Sequence, residues 1–335
     1  INKLHSLYDK IEATNPCGEQ PLLPYESCVL GSVNLVNFIK NNEIDWDGIK
    51  KTVYVGVHFL DNVIDANDYV VKEIEEITKA NRKIGLGVMG WADMLLQLGI
   101  PYDSKEALKL GEKVMHFISK NSKEASRKLG KKRGDFPNFK SSKLKKYYKY
   151  QRNATVTTIA PTGSISLIAG VSSGIEPTFA LSYVREILEE TFLVETNKHF
   201  ENLAKKKGFY SKDLVDKISK TGSLRGLKYV PLDVKKIFVT AFDVKPEWHV
   251  KMQAVFQKYV DNGVSKTINL PENAAREDVR KAYLLAYRLG CKGITVFRTG
   301  SREGKQVLYS GEEYEKRLKL HSEFSGGCPD VECGH

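Results

Sequence analysis

Two short β-rich runs, SKTINLP (265–271) and GITVFR (293–298), flank a stretch whose apolar residues recur at helical spacing over 275–289. Strand, amphipathic helix and strand in that order predict a βαβ unit, in which the crossover makes the two strands parallel. The same alternation extends upstream. SVNLVNFI (32–39) reads as a short strand and ATVTTIA (154–160) as another, ended by Pro161. Helices are expected over 45–65, where Ile49, Val53, Val57, Phe59, Leu60 and Val63 fall on one face, and over 70–81 and 89–98. A further helix is expected over 104–129, with Ser104 as N-cap and Gly130 as stop, then helices over 183–207 and 246–261, with 234–242 mixed. Alternating strands and helices define an α/β architecture, sheet or barrel. From about residue 303 the chain turns polar and ends in SGGCPDVECGH, which reads as a flexible tail.

The 335 residues allow one large domain or two ordinary ones, and a hydrophobic share of 41% with 28% charged residues describes a soluble globular protein. No apolar run reaches the roughly 20 residues needed to cross a bilayer, and no signal-peptide pattern opens the chain. Five cysteines, an odd number in a chain this long, argue against a secreted disulfide scaffold and for a reducing cytoplasm. The net charge of +11 is carried partly by lysine runs at 131–133, 143–149 and 205–207, the second interleaved with Tyr147, Tyr148 and Tyr150. Such a pattern suits a solvated surface, steering of a small anion, or nucleic-acid binding.

Several motifs carry candidate chemistry. GLGVMG (85–90) matches the dinucleotide fingerprint as a string, but the fingerprint needs a buried strand before its first glycine, and EEITKANRK precedes it here. These glycines are expected to allow close packing of a helix. Cys328 and Cys333 in the tail form either half of a zinc site, with His321 and His335 the nearest further ligands, or a mobile dithiol hinged at Gly326 and Gly327. Cys291 reads as a buried apolar residue. In TVTTIAPTGSISLIAG (155–170) a strand runs into Pro161, Thr162, Gly163, Ser164 and Ile165, where a helix can begin. A helix N-terminus suits a phosphate, and an ordinary capped helix is the alternative; without a Walker lysine it is not a P-loop.

The segment ATNPCGEQPLLPYESC (13–28) places Asn15, Cys17 and Glu19 at every second position. In extended backbone these three side chains share a face. A carboxylate beside a thiol raises the thiol pKa, so thiolate catalysis is disfavoured. Hydrogen-atom transfer by a thiyl radical, with the carboxylate as general base on the same substrate, fits better. An incidental loop cysteine is the alternative.

Taken in order, NPCGE, the second cysteine eleven residues on, KIGLGVMGWADMLLQLGIPYDS, RGDFPNF, RNATVTTIAPTGSIS, KPEWHVKMQAVFQKYVDNGVSKTINLP and KGITVFRTGSR resemble the catalytic chain of ribonucleotide reductases, most closely the adenosylcobalamin-dependent class II. The resemblance runs over about 1–308 and implies the C-terminal half of a ten-stranded α/β barrel with a finger loop, followed at 309–335 by a flexible redox tail. It implies that Cys17 is the thiyl-radical cysteine, Glu19 the base for the 3′-hydroxyl, Asn15 the amide that holds the sugar, and Cys28 one of two cysteines that reduce the 2′ position. Pro161, Thr162, Gly163, Ser164 and Ile165 match the segment that binds substrate phosphates. Cys328 and Cys333 resemble the tail pair recharged by a thioredoxin-like protein, at the wider spacing C-x₄-C. Val296 and Phe297 stand where class I chains carry a tyrosine pair for radical relay, which agrees with a radical made from cobalamin. By the same resemblance, the partner of Cys28, most of the cobalamin site and the allosteric site belong to an N-terminal half outside this chain. The expectation is therefore a cytoplasmic reductase of ribonucleotides, diphosphates by analogy, inactive without that half, with a homodimer as its assembly and no membrane or direct nucleic-acid partner. A nucleic-acid-binding module with a zinc-bound tail is the alternative, and a nicotinamide-linked dehydrogenase is third.

Overall fold

The structure, a computed structural model, describes residues 11–188 and 191–301; the side chains of 183–195 are not described. It begins with a short antiparallel hairpin, β1 (Ala13–Thr14) and β2 (Pro21–Leu22). β3 (Val29–Asn34) ends in a 3-10 turn started by the Asn34 side chain, which accepts from Val36 N at 3.2 Å. The expected strand over 32–39 is thus broken, its first three residues ending β3 and Ile39 opening β4, because Asn34 turns the chain. A small hairpin, β4 (Ile39–Lys40) and β5 (Glu43–Ile44), leads to α1 (Trp46–Ala66), capped by Asp45, and α2 (Lys72–Asn81). β6 (Ile84–Met89), α3 (Trp91–Leu98) and α4 (Lys105–Arg133) follow, with Ser104 capping α4 as expected by accepting from Ala107 N at 3.0 Å. Then come α5 (Gly163–Ala169), the hairpin β7 (Ser182–Leu188) and β8 (Thr191–Thr196), and helices α6 (Lys198–Lys206), α7 (Lys212–Thr221), α8 (Leu232–Ile237) and α9 (Pro246–Gln257). β9 (Thr267–Leu270), α10 (Arg276–Arg288) and β10 (Thr295–Arg298) complete the βαβ unit, and β9 and β10 are parallel.

Apart from the three antiparallel hairpins, β3, β6, the 155–159 segment, β9 and β10 follow one another as parallel neighbours in chain order. β3 pairs with β6 from Val29↔Ile84 to Asn34↔Met89. β6 bonds to 155–159 through Ile84 N to Thr155 O, Leu86 N to Val156 O and Thr158 N to Leu86 O. That segment bonds onward through Ile159 N to Gly263 O and Ser265 N to Ile159 O, which brings it to the residues entering β9. Five strand positions are therefore hydrogen-bonded side by side, each return made through helices, as in an α/β barrel that the described residues do not close.

Helices cover one face. Leu86 and Val88 join Val53, Val57, Leu60 and Ile64 of α1, with Trp91, Met252 and Phe256, in the largest core. Trp91 meets Phe256 edge to face at 5.2 Å. A separate small core joins α6, α7 and α8 through Phe200, Leu214, Ile218 and Val234.

Three further expectations change. GLGVMG is a strand, buried along its whole length, with only Gly90 turning the chain into α3. Gly85 and Gly87 do not pack a helix and lie within the strand, not after it; they bring neighbouring strands close, since a Cβ on Gly87 would lie 2.2 Å from Thr158 O. That arrangement is not a dinucleotide fingerprint. The stretch 183–207 is a β-hairpin followed by α6, because tertiary pairing and its β-branched residues override the helical spacing. Gly130 lies inside α4, which ends at Gly134. Its missing Cβ leaves room for Gln151 N and Arg152 N, 2.9 and 3.0 Å from where that atom would be.

Gly87→Ala is expected to destabilise the fold by about 3 kcal/mol or more, since backbone must move to admit the methyl; urea unfolding monitored by circular dichroism measures the loss.

Candidate active site

The finger segment is a tight hairpin. Gly18 N donates to Asn15 O at 3.0 Å across Pro16 and Cys17, and Asn15 N donates to Gln20 O at 3.2 Å. Pro16 presets the turn and Gly18, at φ +78°, closes it. The extended backbone expected from the alternating spacing is therefore absent, and the three side chains diverge in exposure. Cys17 stands exposed at the tip. Asn15 turns back, its Oδ1 accepting from Gln20 N at 2.9 Å, so its amide offers a ligand N–H donors. Glu19 points inward at 1% exposure.

The hairpin is held from beneath through the Glu19 backbone. Glu19 O accepts from Gly263 N at 2.6 Å and from Thr158 Oγ1 at 3.2 Å. Gly263 must lack a side chain, because a Cβ there would lie 2.9 Å from Glu19 Cα. Gln20 crosses the glycine face of β6, where a Cβ on Gly85 would lie 3.0 Å from Gln20 Nε2. The hairpin thus covers the sheet face that the helices leave free. Sequence reasoning passed over Thr158 and Gly263; the hydroxyl run T-V-T-T and a glycine just before a strand were the available signals.

The charge of the Glu19 carboxylate acts on two thiols. Partial burial and the Glu19 charge raise the Cys17 thiol above its ordinary value. Cys28 directly precedes β3 and is pushed far up by burial; Lys83 pulls it down, and Glu26 and Glu19 push it further up. Glu19 Oε2 is buried with no hydrogen-bond partner. An unpaired buried carboxylate oxygen costs on the order of 1–3 kcal/mol or more, a penalty a donating hydroxyl would remove. Cys17, Cys28 and Cys291 are all free thiols.

The segment 161–165 leaves the strand whose Thr158 holds the finger, so Thr162 is at most about 14 Å from Thr158 along the chain. Thr162 is buried in left-handed backbone, φ 58° and ψ 28°, and its Oγ1 accepts from Gly174 N at 2.7 Å instead of capping α5. Ser164 and Ile165 on the first turn of α5 are exposed. An ordinary side-chain cap is therefore not what this turn was built for. The loop returns at Glu176, whose Oε1 accepts from Thr267 N at 2.7 Å and whose Oε2 pairs with Lys266 Nζ at 2.5 Å. Lys266 Nζ also donates to His249 Nδ1 at 2.9 Å, while His249 Nε2 donates to Ala241 O at 3.0 Å. Burial, then Lys266, holds His249 neutral well below its ordinary range.

In the lysine–tyrosine segment Tyr147 and the lysines at 143, 145, 146 and 149 are exposed, while Tyr148 is not. Tyr148 packs against the small core of Phe136, Phe139 and Leu144, and Arg127 lies over its ring at 5.2 Å. Among the described residues no group of three or more His, Cys, Asp or Glu could hold a metal, and no helix is long and apolar enough to cross a membrane. Cys328 and Cys333 lie outside the described residues.

A parallel α/β sheet with a cysteine hairpin across its open face defines a class of protein that comparison makes specific. Residues 1–297 match the family described as ribonucleotide reductase, barrel domain. The chain belongs to that family. It is 50% identical over 341 residues to a vitamin B12-dependent ribonucleoside-diphosphate reductase of Thermoplasma acidophilum, covering 96% of this chain and 44% of the relative. A protein of the same description from Mycobacterium tuberculosis is 48% identical, with 97% and 46% covered. The chain thus spans less than half the length of these relatives. Among solved structures, the Actinobacillus ureae class Id ribonucleotide reductase alpha subunit superposes with a TM-score of 0.73 at 26% identity, over 87% of this chain and 54% of that one.

Removing the Glu19 charge with Glu19→Gln is expected to lower the pH midpoint of Cys17 alkylation, because the carboxylate opposes the thiolate; iodoacetamide rates against pH, read on the Cys17 peptide by mass spectrometry, show the direction.

Proposed function

We propose that this chain carries the thiyl-radical and reducing half of a class II ribonucleotide reductase, acting on ribonucleoside diphosphates together with an N-terminal half. The observation that carries the reading is the buried Glu19 carboxylate, one oxygen unpartnered, acting on the exposed Cys17 thiol at the tip of its own hairpin and on the half-buried Cys28 thiol just before β3, in a chain of this family. Cys17 takes the 3′-hydrogen atom of the ribose as a thiyl radical, and its raised pKa keeps it a neutral thiol between turnovers. Glu19 accepts the proton of the 3′-hydroxyl, and Asn15 holds the sugar through its amide N–H groups. Cys28 delivers a proton to the departing 2′-hydroxyl, which leaves as water. Cys28 and a partner cysteine then become a disulfide, supplying two electrons, and the partner's proton completes the new C2′–H bond; Cys17 returns the hydrogen atom to C3′ and Glu19 returns its proton to the 3′-oxygen. The segment Pro161, Thr162, Gly163, Ser164 and Ile165 receives the phosphates at the start of α5.

The cofactor is proposed to be cobalamin, as in the names of the relatives. What the described residues offer it is the exposed Cys17 thiol at the hairpin tip, open to a reactant from outside; the rest of its site is assigned to chain beyond them. When bound, adenosylcobalamin supplies the radical that removes the Cys17 hydrogen. Cys328 and Cys333 are proposed to reduce the resulting disulfide and to be recharged by a thioredoxin-like protein, with 309–335 as the tail that carries them.

Mixing the chain with the N-terminal half of a class II reductase, adenosylcobalamin, a dithiol and a ribonucleoside diphosphate is expected to yield deoxynucleotide, and either half alone none. Cys17→Ser gives no turnover above background, and Glu19→Gln loses about 10²-fold or more, the usual cost of a missing general base. Full turnover by Cys17→Ser would refute the radical assignment.

A further inference from the structure

Lys83 and Glu26 form an ion pair of 2.5 Å with both side chains shut off from water. Glu26 is held on every side: Oε2 also accepts from Leu23 N at 2.9 Å, and Oε1 accepts from Asn81 Nδ2 at 2.6 Å. Lys83 Nζ further donates to Pro21 O at 3.3 Å. The ammonium is therefore tied both to the base of the finger hairpin, in β2, and to the turn that leads into Cys28. Strand register places it beside that cysteine. Val29 pairs with Ile84 at the head of the β3–β6 ladder, so the preceding residues, Cys28 and Lys83, are neighbours across a parallel pair. Adjacent backbones in such a pair lie about 4.8 Å apart. Of the charges acting on the Cys28 thiol, Lys83 favours the thiolate most, and Glu26 and Glu19 oppose it.

A buried ion pair is on its own a weak device for stability, since apolar residues of similar volume serve as well or better. Its position against a thiol gives it another use. We infer that Lys83 and Glu26 are positioning residues for Cys28, the pair setting how readily Cys28 Sγ gives up and regains a proton. The inference rests on the reading of Cys28 as a redox thiol, because a cysteine passing between thiol and disulfide must gain and lose a proton at sulfur. Lys83 limits how far burial suppresses the thiolate, and Glu26 keeps the ammonium from lowering the thiol so far that no proton is held for transfer.

The test uses the intact chain and passes through no reduction step. Cys28 alkylation by iodoacetamide at mildly alkaline pH is read on its own peptide by mass spectrometry, with Cys291, packed on the separate cluster of Val250, Ile268, Ala282 and Ala286 and pushed up to about 11 by burial, as internal reference. Lys83→Met is expected to slow Cys28 by roughly three- to tenfold and Glu26→Gln to speed it by a similar factor, while Lys83→Arg stays within about twofold of the native chain. Opposite signs are the signature of charge. Loss of packing would speed both variants and carry Cys291 with them, and that result overturns the inference, as does Lys83→Arg behaving like Lys83→Met. Should either single variant fail to fold by circular dichroism, Glu26→Gln/Lys83→Met, which leaves neither charge unpaired, decides. It is expected to react more slowly than the native chain, because Lys83 is the stronger influence, and a native or faster rate overturns the inference. Such a failure would leave the reductase reading intact, which deoxynucleotide formation decides separately.

Discussion

The site depends on one carbonyl group. Glu19 O receives Gly263 N at 2.6 Å and Thr158 Oγ1 at 3.2 Å, from two adjacent parallel strands, and this stitches the finger hairpin to the sheet. The contact is possible only because the strands leave room. Gly263 has no Cβ to meet the Glu19 backbone, and Gly85 and Gly87 let the Thr158 strand and Gln20 come close over β6. With the carbonyl fixed, the turn across Pro16 and Cys17 lifts the thiol outward and turns the Glu19 carboxylate inward. Exposure of one group and burial of the other follow from a single backbone anchor.

Buried charge elsewhere is balanced with care, which makes the exception at the site informative. Asp61, fully buried, meets Arg82 Nε at 2.9 Å, Arg152 Nε at 3.1 Å and Asn153 Nδ2 at 3.0 Å, a junction binding α1 to the entrances of two strands. Lys266 is satisfied by Glu176 and the neutral His249, which joins the return of the 161–176 loop to β9 and α9. Such networks fix geometry because each partner satisfies a group that would be costly if stranded. Glu19 Oε2 belongs to no such network. Where the buried charges just described are paired and this oxygen is not, the unpaired group is the Glu19 carboxylate whose charge acts on Cys17 and Cys28.

The sequence was most legible where local pattern and tertiary demand agree. The βαβ unit, α1, the Ser104 cap and the start of α9 at Pro246 stand close to where periodicity and capping residues place them. It was least legible where partners distant in sequence decide. β6 carries glycines that weaken a strand by propensity, yet close approach of its neighbours requires them. The helical spacing across 183–207 dissolves into a hairpin, because strand pairing outweighs a weak local preference. At the site, Asn15, Cys17 and Glu19 were visible as a group, but for a geometric reason that does not hold, since a turn and not an extended strand arranges them. Thr158, Gly263 and Lys83 lie inside stretches that carry the resemblance, but nothing local marks their contacts; their partners Glu19 and Glu26 are 139, 244 and 57 positions away in the chain, and only folding brings them together.

The acidities narrow the chemistry further than the motifs do. A nucleophilic or metal-binding cysteine needs a lowered pKa, from a cation, a helix N-terminus or a metal. Cys17 has the reverse, burial and a carboxylate that both favour the thiol, and Cys28 is more strongly held in the same state, with Lys83 as its one counterweight. Acyl transfer and disulfide exchange initiated by Cys17 as a thiolate are therefore poorly served by this hairpin. Hydrogen-atom transfer uses the S–H bond itself and is helped by surroundings that keep sulfur protonated. Proton removal is then the task of a separate group, the role proposed above for Glu19, whose buried carboxylate has an unpartnered oxygen. The same neighbour that spoils a cysteine for nucleophilic attack suits it for radical work, so the proximity of Glu19 to Cys17 is the feature of this hairpin from which the reaction type is best inferred.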